Sequence, residues 1–85
     1  MIIRSQDKTK IFNFEQIRKI DCDNGMIVVD STSILGEYST EEKAIKVLDM
    51  ICHFADKVHL EKLQLNPIRT DGAVFQMPLD EDVEV

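Results

Sequence analysis

The residues able to do chemistry are few, and most of them fall within one stretch, residues 49–59. Asp49, His53 and Asp56 stand at i, i+4 and i+7, which sets two carboxylates and an imidazole on one face of a helix. Such donors suit a divalent metal ion, so these three are the metal candidates, and a small metal-binding protein or metal-assisted hydrolase is the class they imply. A closed site needs a fourth ligand, and a catalytic one an open position with a base beside it. The sequence names neither, so the three read first as a solvated helix face.

Cys52 beside His53 has the residue types of a nucleophile and its base. Neighbours on a helix point about 100° apart, however, and do not share a hydrogen bond. Cys22 and Cys52 lie thirty residues apart with no metal-like spacing, and read as free thiols filling apolar surface. His59 falls near a helix C-terminus, where the dipole favours an imidazolium. Gly25, Gly36 and Gly72 are too scattered for a phosphate cradle and read as turn or bulge residues. Phe12 and Phe14 have only Lys10 interleaved with them, too little positive charge for a base-stacking platform. No catalytic residue and no cofactor is expected, and the chain reads as a non-enzyme.

Those residues need elements to hold them, and the chain divides where its period changes. Residues 1–38 read as short strands at Met1–Ser5, Lys10–Phe14, Ile17–Cys22, Met26–Val29 and Ile34–Tyr38. Asn24-Gly25 is a hairpin signal, because both residues tolerate positive φ. Short connections between neighbours predict an antiparallel meander. From Ser39 the period becomes 3.6. Ser39 or Thr40 caps the helix, Ser39-Thr40-Glu41-Glu42 having the form of a capping box, and Ala44, Leu48, Ile51, Ala55 and Val58 make an apolar face that Ile45, Val47, Cys52 and Phe54 widen. The helix is expected to end between Val58 and Leu65. A helix of about 20 residues would be ~30 Å long and overhang strands of ~17–20 Å. Its far end, with Val58, Leu60, Leu63 and Leu65, is therefore the expected interface. Asn66-Pro67 and Asp71-Gly72 mark turns, and Ala73–Met77 reads as a last strand.

Composition bounds the rest. Eighty-five residues, 44% of them apolar, make one globular domain, expected over 1–77. The net charge is −6. Arg4, Lys8, Lys10, Arg18 and Lys19 against Asp7 and Glu15 leave the first twenty residues at +3 and the remainder at −9. That balance argues against a nucleic-acid partner, since counterion release requires a basic patch. Residues 78–85 hold Asp80, Glu81, Asp82 and Glu84 with no base, and read as an acidic disordered tail. A sharper reading makes those carboxylates a mimic of nucleic acid. With no leader-like start and no apolar run near 18 residues, the expectation is a cytoplasmic protein without a membrane span.

The opening Met1-Ile2-Ile3-Arg4-Ser5-Gln6-Asp7-Lys8, the segment Gly36-Glu37-Tyr38-Ser39-Thr40-Glu41-Glu42 and the closing Val74-Phe75-Gln76-Met77-Pro78 resemble small uncharacterised proteins of low-GC Gram-positive bacteria and their phages or mobile elements. The resemblance implies context and brings no site residues. The fold class expected is α+β: an antiparallel sheet of about five strands, one long helix across a face, and a final strand pairing beside Met1–Ser5 or with a second chain. The alternative is a small barrel capped by the helix, resembling pleckstrin-homology-like domains. The function expected is that of an interaction module, homodimeric or bound to a protein partner.

Overall fold

The computed structural model describes residues 1–63 and 73–85, with side chains for 1–60 and 73–85. The fold is α+β, and the described residues form six strands, one α-helix and two 3-10 turns. The strands are β1 (Ile2–Arg4), β2 (Ile11–Asn13), β3 (Ile20–Asp23), β4 (Met26–Val29), β5 (Ser33–Glu37) and β6 (Val74–Gln76); helix α1 spans Glu41–Leu63. The expected single five-strand meander is split. β3, β4 and β5 form an antiparallel meander, while β2, β1 and β6 form a second three-stranded sheet. The last strand does lie beside the first, and it runs parallel to it, with Ile3 opposite Phe75.

The split falls between β2 and β3, where Phe14–Gln16 turns as a 3-10 helix. Asn13 caps that turn by accepting the Glu15 N–H at 3.1 Å. The following residues are fastened to the other sheet: Asp30 Oδ1 accepts the Arg18 and Lys19 N–H groups at 3.0 and 2.9 Å, and Asp30 N donates to Lys19 O at 2.8 Å. Asp30 and Ser31 have positive φ, as do Asn24 and Gly25 in the preceding hairpin. Asn24-Gly25 is the two-residue loop of the β3–β4 hairpin, a turn that requires left-handed φ, while Asp30 and Ser31 lie in the three-residue connection from β4 to β5.

The sheets meet at Gln6. Its backbone N donates to Leu35 O at 2.7 Å, and its side-chain amide pairs with both backbone groups of Glu37. The register shift opposite Ile27/Val28 makes Leu35 a bulged residue, which both frees its carbonyl for Gln6 and turns its side chain into the core (1% exposed). Ile3, Ile27, Val47 and Met77 complete the nearly dry centre.

Helix α1 starts on Thr40, whose Oγ1 accepts the Lys43 N–H at 3.1 Å. A capping box built on Ser39 would have Glu42 reach back to the Ser39 N–H. Asp80 takes that place instead, accepting it at 2.7 Å, while Lys43 Nζ donates to Asp80 O at 3.0 Å. Residues 78–85 therefore do not leave the domain as a tail. Tyr38 donates its hydroxyl to Pro78 O at 2.8 Å, Asp80–Asp82 forms a 3-10 turn, and Val83 is buried (4% exposed). Burial, followed by the negative charge of Asp80, raises the Tyr38 hydroxyl pKa.

Candidate interaction groove

The helix carries two apolar stripes side by side. Ala44, Val47, Ile51 and Val58 are buried, with Phe54 half-buried among them and packed edge-on to Phe75, ring centroids 5.4 Å apart. One residue further on, Ile45, Leu48, Cys52, Ala55 and His59 repeat the same spacing, turned about 100° away. This second stripe is half-buried or exposed. From Leu48 onward it faces residues 14–20, the irregular segment that Asp30 holds.

Between them runs an open hollow of about 590 Å³. Its floor is Phe14, Ile17, Ile20, Leu48, Ile51 and Ala55, one rim is Arg18 and Lys19, and the other is Cys52, Asp56 and His59. A second hollow of about 360 Å³ adjoins it through Phe14, Ala55 and His59 and reaches Met1 and Val58. Near that end the Met1 amine pairs with Glu15 at 3.2 Å. The volume lies within the range of ligand sites, but the trough is open along its length, as suits a segment of another chain.

The expected interface is only partly placed here. Val58 is buried against its own core and only edges the second hollow. Leu60 is exposed. Leu65 lies outside the described residues, as do Asn66-Pro67 and Asp71-Gly72, and the side chain of Leu63 is likewise outside them. At 23 residues, α1 is ~34 Å long at 1.5 Å per residue, against strands of three to five residues, so the overhang is present. No described helix is long and apolar enough to cross a membrane.

The chemical candidates are dispersed. Asp49, His53 and Asp56 are all exposed on α1, and among the described residues no group of three or more His, Cys, Asp or Glu is disposed to hold a metal ion. Both cysteines are free. Cys22 donates its thiol to the Glu41 carboxylate. Burial and then that carboxylate push its pKa up, away from the thiolate a nucleophile requires. Cys52 is exposed on the groove rim.

No protein-family model, curated protein or solved structure matches this chain. The groove therefore has to be read from its own residues. Sequence reasoning missed its basic wall and its floor residues Phe14 and Ile17. The signal within reach was the repeat 45-48-52-55-59, a second seam offset by one from the buried one.

Proposed function

We propose that this chain is a non-enzymatic interaction module, working as a homodimer or on a protein partner. One observation carries the reading: an apolar trough with a basic wall, running beside the exposed stripe of α1 and left uncovered by any described residue. Exposed Leu60 extends the same apolar end of the helix, and surface of this kind marks contact sites. An accessory role on a phage or mobile element is the context that the sequence resemblance suggests.

The other two readings draw no support of this kind. The Asp49, His53 and Asp56 side chains stand exposed without a gathered ligand set. Asp80, which a nucleic-acid mimic would present outward, is engaged with Ser39 and Lys43.

The test combines solution mass by light scattering with binding of an anilinonaphthalene dye. The wild-type chain should be either a dimer or a monomer whose trough takes up the dye. Ile17→Lys, checked for native circular dichroism, should abolish whichever is seen. A monomer that binds no dye, unchanged by Ile17→Lys, removes the proposal.

A further inference from the structure

We draw no further inference here: the strongest candidate, the open apolar hollow between α1 and residues 14–20, carries Arg18, Lys19 and Asp56 together on its rims, and nothing in the structure shows what covers it.

Discussion

Gly25→Ala strikes a close approach between the meander and the residue pair that leads into α1. Gly25 sits at φ +83, and a Cβ placed there would lie 2.5 Å from the carbonyl oxygen of Tyr38. An L-residue in this conformation costs about 1–2 kcal/mol. The contact also forces the Tyr38 backbone away, although Tyr38 N donates to Gly25 O at 2.9 Å, and losing that bond adds about 0.5–1.5 kcal/mol. The total is about 1.5–3.5 kcal/mol, which for a domain of this size lowers Tm by roughly 6–28 °C. Thermal and urea unfolding followed by circular dichroism measures it directly. Gly25→Asn separates the two costs, since Asn tolerates the backbone angle but keeps the Cβ; it should recover only about 1 kcal/mol of the loss. An alanine variant within about 0.5 kcal/mol of wild type would refute the close approach of Gly25 to Tyr38.

The two stripes of α1 predict unequal costs: Val47→Ala should destabilise by about 2 kcal/mol, whereas Leu48→Ala, though it removes more carbon, should cost about 1 kcal/mol or less. Urea midpoints decide this, and a larger loss at Leu48 would mean that the inner stripe is misassigned. Asp30→Ala removes the acceptor for the Arg18 and Lys19 N–H groups and should cost about 1–2 kcal/mol, with hydrogen exchange at those two amides rising more than elsewhere. Tyr38 is held neutral in the folded domain, with its pKa raised. Its contribution is complete below the unfolded value near 10 and is lost as pH climbs above it, so alkaline unfolding should shift to higher pH in Tyr38→Phe. Hydrogen bonds from Thr9 and Ser5 lower the Asp7 carboxyl pKa to about 2. That stability is present above the unfolded value near 4 and is lost as pH falls from there toward 2; the acid limb in Asp7→Asn should flatten over that window.

The local elements were legible because each is written in a few adjacent residues. Asn24-Gly25 dictates a hairpin through its φ angles, and Met26–Val29 is a strand at its expected bounds. What periodicity could not decide was which of two equal seams on α1 turns inward. The spacing 44-47-51-54-58 and the spacing 45-48-52-55-59 are the same, and only the packing of α1 against β3 and β4 chooses between them. The division into two sheets was equally hidden. It depends on the Asp30 carboxylate meeting amides 11 and 12 residues earlier. The docking of residues 78–85 depends on Asp80 meeting Ser39 across 41 residues. Leu60 could be named as exposed apolar surface, whereas Arg18 and Lys19 showed only as two charges in a connection until the fold set them beside the helix.

The parallel pairing of β1 with β6 also has a bearing on synthesis. Ile3 finds its partner Phe75 only after 72 further residues have been added, about 4–14 s at 5–20 residues per second. Throughout that interval the β1–β2 hairpin has one unsatisfied edge on the growing polypeptide. The meander and helix, by contrast, are made of contacts between near neighbours and can form as they emerge. A ribosome stalled before Val74 would thus release a chain with a finished half and a sticky half, a species suited to pairing with another nascent chain. Fragments ending before β6 should be recovered as aggregates, and supplying residues 73–85 in trans should rescue them only if the added strand arrives before the open edges meet.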